Sequence, residues 1–281
     1  MMRRAAILIG VLMLAGCSQA VPRPAPPPLR GVVSLDYCAD QMVLGLVPRG
    51  QVRAVSPEVD SDPSFAAPRA VSLPRLRPTL EEIAAVRPRY AVRLYGGAPG
   101  IDRQLAALGI RVVQLQPANS LAEVPAELAR VGEALDASPT AAARIAAFNA
   151  AVAKGSTAIV ANSPTLLYTT PGDVTTGSDG FVGDLIRTAG FQSVRHASGW
   201  GSLPLEAMVR RPPDAVLRAF FDSQRYQQDR WSSSAHPRLR QLTRAVPTLT
   251  VPGSAIACGN WLAGDAVTAL ARLRQHVRAP S

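Results

Sequence analysis

The sequence predicts an α/β fold of two Rossmann-like lobes, each on a mainly parallel sheet, joined by a single long rigid helix. Three observations carry this prediction. A segment of the chain is duplicated, strand-like and helix-like patterns alternate around both copies, and an alanine-rich stretch with few breakers separates them. Strands alternating with helices at this spacing call for parallel sheets, and two such series call for two similar lobes.

The duplication aligns Leu80–Leu94 (LEEIAAVRPRYAVRL) without gaps on Leu205–Ala219 (LEAMVRRPPDAVLRA). Each copy reads as a two-turn helix, a proline stop and a short apolar strand. Thr79 and Glu82 form a capping box before the first helix, and Pro204 suits the first turn of the second. Pro88 and Pro213 end the helices because proline cannot donate to the helical ladder. The flanks correspond as well. Gly31–Leu35 is a buried-strand pattern followed by a helical stretch from Asp40 to Leu46; Thr165–Tyr168 followed by Phe181–Ala189 plays the same part in the second half. After the copies, Asp102–Leu108 leads into the strand Ile110–Leu115, and Leu239–Ala245 leads into Pro247–Val251. Between the halves, Leu121–Lys154 is rich in alanine. Ser138 is placed as its N-cap with Pro139 at the first helical position, and Thr140–Lys154 is strongly helix-forming.

The amino terminus is that of an exported chain. Arg3 and Arg4 precede a short apolar run, Ala5–Leu14, and Leu14-Ala15-Gly16-Cys17 matches the box at which bacterial signal peptides are cut before an acylated cysteine. Charged, apolar and small-residue regions in this order make a secretory signal. The apolar run is too short for the roughly 20 residues of a membrane span. Residues 1–16 therefore read as signal peptide, and Cys17 as a lipid-bearing terminus. Pro22, Pro24, Pro26, Pro27 and Pro28 make residues 17–30 a semi-rigid tether. The remaining segments divide as an N-terminal lobe (31–118), a connecting helical segment (119–155) and a C-terminal lobe (156–281).

Composition fits a globular chain: of 281 residues, 47% are hydrophobic and 18% charged, so a core can be buried. The net charge of +10 raises nucleic-acid binding, but the arginines are scattered singly, Lys154 is the one lysine, and no basic run interleaves with aromatics. Attraction to anionic lipid or ligand is the more modest inference. Catalysis finds no support: His196, His236 and His276 are dispersed, and neither an H-E-x-x-H spacing nor a G-x-S-x-G elbow occurs. No metal-binding cluster and no cofactor site can be assembled from these positions. Once Cys17 is acylated, Cys38 and Cys258 remain in an oxidising compartment, either paired or as two buried thiols.

Two β/α lobes on one long helix, exported and lipid-anchored, resemble the helical-backbone class of ABC-transporter substrate-binding proteins, which carries vitamin B12, ferric siderophores and haem. The matching segments are Val32–Asp36, Leu80–Pro88, Tyr95-Gly96-Gly97, Asp102–Leu115, Thr175–Gly190 and Leu205–Pro213. The cobalamin-binding branch is the most similar, through Tyr95-Gly96-Gly97 and through Trp200 shortly before the Glu206 helix.

The resemblance implies a ligand cleft between the lobes. In open α/β sheets ligands lie beyond the carboxyl ends of the strands, so the strand-end loops supply the candidates: Asp36, Tyr37, Cys38, Tyr95, Gly96, Gly97, Thr176, Trp200, Phe221, Asp222 and Trp261. For the aromatics among them, packing in the core is the competing reading. Glu81 and Glu206, at equivalent positions of the duplication, match the glutamates with which the family docks onto its permease; favouring the helix dipole is the simpler role for both. Cys38 and Cys258 each follow a strand, one per lobe. They form a disulfide across the cleft mouth, a thiol pair touching the ligand, or two separate buried thiols.

The expected function is capture of a metal chelate or macrocycle and delivery to an inner-membrane ABC permease, by a monomer tethered in the cell envelope and facing the periplasm. A corrinoid is favoured over a ferric siderophore or haem, because an anionic chelate calls for arginines in the cleft. Arg93, Arg195 and Arg218 are the candidates for that role, with Arg93 and Arg218 pointing away from the cleft along their strands as the competing reading. A lipoprotein that keeps the bilobed scaffold for envelope interactions without transport is the reading from another class.

Overall fold

The computed structural model describes residues 28–61, 65–172, 174–195, 197–203, 205–221 and 237–277. Residues 1–27 with Cys17, and Asp222, lie outside them, as do Pro204, His196 and His236.

Each lobe is built on a four-stranded parallel sheet. In the first, β1 (Val32–Ser34), β2 (Val52–Ala54), β3 (Tyr90–Arg93) and β4 (Arg111–Gln114) run in the order β2-β1-β3-β4. In the second, β5 (Thr165–Thr169), β7 (Gln192–Ser193), β9 (Ala215–Ala219) and β10 (Thr248–Val251) run in the order β10-β9-β5-β7. Matching β1 to β5, β2 to β7, β3 to β9 and β4 to β10 makes the two orders the same. The duplicated segments thus occupy equivalent places: α3 (Leu80–Val86) leads into β3, and α8 (Leu205–Arg210) leads into β9. An antiparallel ribbon of β6 (Val174–Thr176) and β8 (Trp200–Ser202) is added to the second lobe alone.

Both sheets are covered on both faces, as parallel sheets require. Val32 joins the main core while its neighbour Val33 joins a second cluster with Leu35, Ile83, Ile101 and Leu105. Leu166 and Tyr168 likewise face the main core, and Leu167 faces Met208 and Val216 on the other side. This alternation is the two-residue period of a strand. The main core is continuous from one lobe to the other.

Local signals account for the helices. The Thr79 hydroxyl accepts from the Glu82 amide at 3.4 Å and starts α3. The reciprocal half of the expected capping box is missing, because the Glu82 carboxylate turns to the Arg77 amide at 2.7 Å and to its guanidinium. Arg87, in the left-handed region at φ 52°, ends the helix before Pro88. Ser138 is not the cap expected of it: it is the first residue of α6 (Ser138–Gly155), and the residue before it, Ala137, provides no side-chain bond. The chain instead enters α6 through Asp136 at φ 56°. At 18 residues α6 is about 27 Å long. It packs between α5 (Val124–Ala134) and the C-terminal helix α10 (Ala263–His276). Sequence reasoning assigned no element to α10, nor to the short edge strand β2. The remaining helices are α1 (Tyr37–Leu46), α2 (Ala66–Arg69), α4 (Ile101–Ala107), α7 (Gly180–Thr188) and α9 (Pro237–Arg244).

Candidate ligand-binding site

The carboxyl ends of the two sheets meet at a cavity of about 410 Å³. From the N-terminal lobe, Tyr37, Cys38, Ser61 and Tyr95 line it. The C-terminal lobe contributes Tyr168, Thr170, Gly172, Val174, Trp200, Phe220, Ile256 and Ala257. Trp200 is 60% exposed and Tyr95 45%, so both lining rings offer accessible aromatic surface to a ligand.

The N-terminal wall is organised by Asp36. Its carboxylate accepts from the Ala39 amide, capping α1, and from the amides of Leu94, Tyr95 and Gly96 at 2.6–3.0 Å. One buried side chain therefore fixes the loop after β3 onto the start of α1. Asp36 is 1% exposed, so it positions the wall and does not face the ligand as expected. Gly96 is required for the same docking: a Cβ there would stand 2.0 Å from the Leu35 carbonyl oxygen. Gly97, at φ 93°, turns the chain away. These two glycines shape the loop, and Tyr95 is the member of the trio that reaches the cavity. Its hydroxyl donates to Glu58 Oε2 at 2.5 Å, and the Tyr37 amide donates to the same oxygen at 3.0 Å.

On the opposite wall, Trp200 sits on β8 opposite Thr176 of β6 and meets the buried Tyr168 ring edge-on, with centroids 6.0 Å apart. Thr176 is buried, so its part is to support the ribbon that presents Trp200. Phe220 has φ 67°, a conformation unfavourable for a bulky residue by about 1–2 kcal/mol. It is accommodated because Gly253 has no side chain; a Cβ there would lie 2.4 Å from the Phe220 ring. This strain puts Phe220 on the cavity wall, where Phe221 was expected. Phe221 instead lies beneath the Arg218 guanidinium at 3.8 Å.

Trp261 is not a cleft residue. It is 7% exposed, stands edge-on to Phe65 at 5.7 Å and has Arg144 at 5.3 Å from its ring. The loop after β10 turns inward before α10, so the ring fills the junction between lobes. Cys38 and Cys258 are joined in the structure, with Cα atoms 5.4 Å apart, inside the span a disulfide allows. Cys38 lies on the cavity wall, so the bond crosses between lobes at the cavity floor. Glu81 and Glu206 are both exposed in the first turns of α3 and α8.

No arginine or lysine lines the cavity among the described residues. Arg93 is held away by Asp102 and the Gly96 carbonyl, both at 2.7 Å. Arg195 packs over Gly201, and Arg218 covers Phe221. Among the described residues no group of three His, Cys, Asp or Glu could hold a metal. The expected candidates omit Glu58, Ser61, Tyr168, Ile256 and Ala257, and also Thr170, Gly172, Val174 and Phe220 of the strand-end loops. Glu58 and Ser61 follow β2, and recognising that three-residue strand would have placed them by the same strand-end rule.

Two α/β lobes with an aromatic cavity at their facing strand ends have the architecture of a ligand-binding cleft. The sequence profile of the periplasmic binding protein family matches residues 32–231, and the chain belongs to that family. No curated protein matches it. Similar solved structures include the periplasmic haem-binding protein RhuT from Roseiflexus sp. RS-1, at 17% identity and a TM-score of 0.65, over 89% of this chain and 99% of that one. The vitamin B12-binding protein BtuF of Vibrio cholerae is 15% identical with a TM-score of 0.63, over 90% and 99%. The haem-binding protein HutB of Vibrio cholerae is 18% identical with a TM-score of 0.65, over 88% and 98%. At these identities the likeness speaks to the fold, which it shares throughout.

Proposed function

We propose that the chain is the substrate-binding lipoprotein of an ABC importer, capturing a corrinoid in the cavity between its lobes. The observation that carries the ligand is the cavity wall itself: Tyr37, Tyr95, Tyr168, Trp200 and Phe220, with no cationic side chain among the described lining residues. A ferric catecholate or a haem with free propionates brings negative charge, which an apolar wall leaves unpaired at considerable cost. A corrinoid offers a large face for aromatic contact and amide groups for the tyrosine hydroxyls and Glu58. Solved relatives that bind vitamin B12 and haem support the size class of ligand.

Haem is the second reading, and Tyr95 favours it. A phenol in the cavity, hydrogen-bonded to a carboxylate, is a competent iron ligand. Titration with cyanocobalamin, haemin and ferric siderophores separates the readings. The expected result is saturable cyanocobalamin binding well below micromolar, weakened about tenfold or more by Trp200→Ala through lost aromatic contact. Corrinoid affinity no tighter than micromolar overturns the choice. A haem spectrum abolished by Tyr95→Phe establishes the alternative.

Acylation of Cys17, with residues 17–30 as tether, holds the carrier at the envelope; mass spectrometry of the mature amino terminus tests it. Glu81 and Glu206 dock onto the permease. Their double replacement by alanine is expected to reduce uptake while leaving ligand affinity intact, and unchanged uptake removes them from that role.

A further inference from the structure

The amino ends of the first sheet carry a set of charges that ligand binding does not use. Because all four strands are parallel, everything just before or at their starts lies along one edge, opposite the cavity. There the chain places Arg30 before β1, Arg53 in β2, Arg89 before β3 and Arg111 at the start of β4. The register pairs Val32 with Val52 and with Tyr90, and Tyr90 with Arg111. At about 4.8 Å between strands, the four arginines span roughly 15 Å. All four are exposed. The Arg53 side chain lies along Gly31, and the Arg89 amide donates to the Gly31 carbonyl at 2.9 Å, so the set is rigidly framed. One acid, Asp136, reaches it, 3.2 Å from Arg89; among the described residues Arg30, Arg53 and Arg111 have no ion-pair partner. Arg49, nearby in sequence, is engaged with the carbonyls of Arg69 and Val71.

These residues are not explained by helix dipoles, since none sits in the last turn of a helix, nor by the fold, which needs no charge there. Their place in the chain suggests a use. Arg30 is where the tether joins the lobe, and Leu29 packs beside Gly109 at the same end. Twelve residues, 18–29, separate Cys17 from Arg30, a chain length of at most roughly 43 Å. A bilayer at Cys17 is therefore within reach of this edge before any other part of the domain.

We propose that this four-arginine edge is an electrostatic contact for anionic phospholipid headgroups, laying the N-terminal lobe on the membrane beside its own anchor. The proposal rests on the Cys17 reading for bringing a bilayer close, but the contact is a property of the folded lobe. The cavity and Glu81 lie at the other ends of the strands, so this contact and docking onto the permease are alternative states of the tethered carrier. The anchor brings the lobe to the bilayer, and basic residues held within a Debye length of an anionic leaflet are attracted to it, which gives the tethered lobe an orientation.

The test uses the full chain with Cys17→Ser, which removes acylation, on vesicles of phosphatidylcholine alone and with about one-third phosphatidylglycerol. The leader inserts on both, and the anionic preference that Arg3, Arg4 and Arg23 add is measured on a peptide of residues 1–29 and subtracted. The expected result is at least about tenfold stronger partitioning on the anionic vesicles at low salt, largely lost at 0.5 M salt, where screening acts within about 4 Å. Replacing Arg30, Arg53, Arg89 and Arg111 by glutamine is expected to remove that preference. Replacing the exposed Arg103, Arg210, Arg211 and Arg272 instead, with the same loss of charge, is expected to keep it. Hydrogen exchange on the unsubstituted chain should slow at residues 28–31, 51–53 and 87–89 upon anionic vesicles. No preference for anionic lipid, equal loss in both quadruple variants, or protection confined to other segments each overturns the proposal. Failure of the anchor shows separately, as an unmodified Cys17 in the mass spectrum.

Discussion

Asp40 is fully buried on α1, beneath the cavity wall, and has no ion-pair partner among the described residues. Its Oδ1 accepts from the Ser34 hydroxyl and from the Ser56 amide at 2.9 Å, and Oδ2 meets the Ser56 hydroxyl at 2.5 Å. Burial raises its pKa from 3.8 to about 7, outweighing the serine hydrogen bonds that act the other way. The native state therefore holds a proton that the unfolded chain releases near pH 4. Between about pH 4 and pH 7 the unfolded state binds fewer protons, so stability falls as pH rises, by up to about 1.4 kcal/mol per pH unit. Asp60 and Glu82, held low by hydrogen bonds from Arg75 and Arg77, have the opposite sign and act below about pH 4. An asparagine side chain keeps the shape of the neutral acid without its proton, so Asp40→Asn should flatten the curve of unfolding free energy between pH 5 and 7. A slope unchanged by the substitution would mean that Asp40 is ionised in the folded protein. The same scale shows what the sequence hides. Asp36 and Asp40 look alike in Leu35-Asp36-Tyr37-Cys38-Ala39-Asp40, and strand-end position alone drew Asp36 into the cleft. Which carboxylate is capped by backbone amides, and which is buried among hydroxyls, depends on residues some 16 to 60 positions away.

At the scale of elements, the duplication made most of the architecture legible. Fifteen aligned residues located α3, β3, α8 and β9, and a proline stop in each copy marked where helix gives way to strand. Strands of two or three residues, β2 and β7, show no periodicity to read, and with β2 went Glu58. Trp261 was misplaced for a related reason: position after a strand predicts exposure at the cleft, but the loop there turns inward onto another lobe's helix. That contact makes a specific demand on α1. A Cβ on Gly45 would lie 2.2 Å from Cη2 of Trp261 and 2.3 Å from Cζ2. Alanine in mid-helix normally gains up to about 1 kcal/mol over glycine. Overpacking against a buried ring costs about 1–3 kcal/mol, and Phe65 and Arg144 leave the indole little room to retreat. Gly45→Ala should therefore lower the unfolding free energy by about 1–2 kcal/mol in urea denaturation. A more stable variant would show that the ring moves freely and that the junction is loosely packed.

Several such contacts act together on the whole molecule. The Asn260 amide donates to Gln41 at 2.6 Å, the Leu121 amide donates to Asp184 at 2.8 Å, and the Arg144 guanidinium donates to the Gly45 carbonyl. Val267 of α10 closes on Gly155 at the end of α6, so the connecting helix is gripped at the C-terminal lobe. The Cys38–Cys258 bond spans a sequence separation of 220 residues. Closing a loop of that length constrains the unfolded chain by about 5 kcal/mol in the chain-entropy model, against a usual range of about 2–4 kcal/mol. A continuous core, a rigid helix and a covalent link at the cavity floor leave little freedom for a hinge. Ligand capture should thus proceed with the lobes nearly fixed, their separation changing by less than about 2 Å, the scale that divides preorganised from rearranging complexes. Spin labels carried by unnatural side chains at the exposed positions Arg103 and Arg210 would report it. In the Cys38→Ser, Cys258→Ser double variant, stability should fall by about 2–5 kcal/mol, and the label distribution should broaden before ligand is added. Ligand-driven closure well beyond 2 Å in the disulfide-bonded protein would show that the seam slides, and that neither the disulfide nor Trp261 sets the distance between the walls. An unbroadened distribution in the double variant, with closure still absent, would assign that rigidity to α6 and α10 alone.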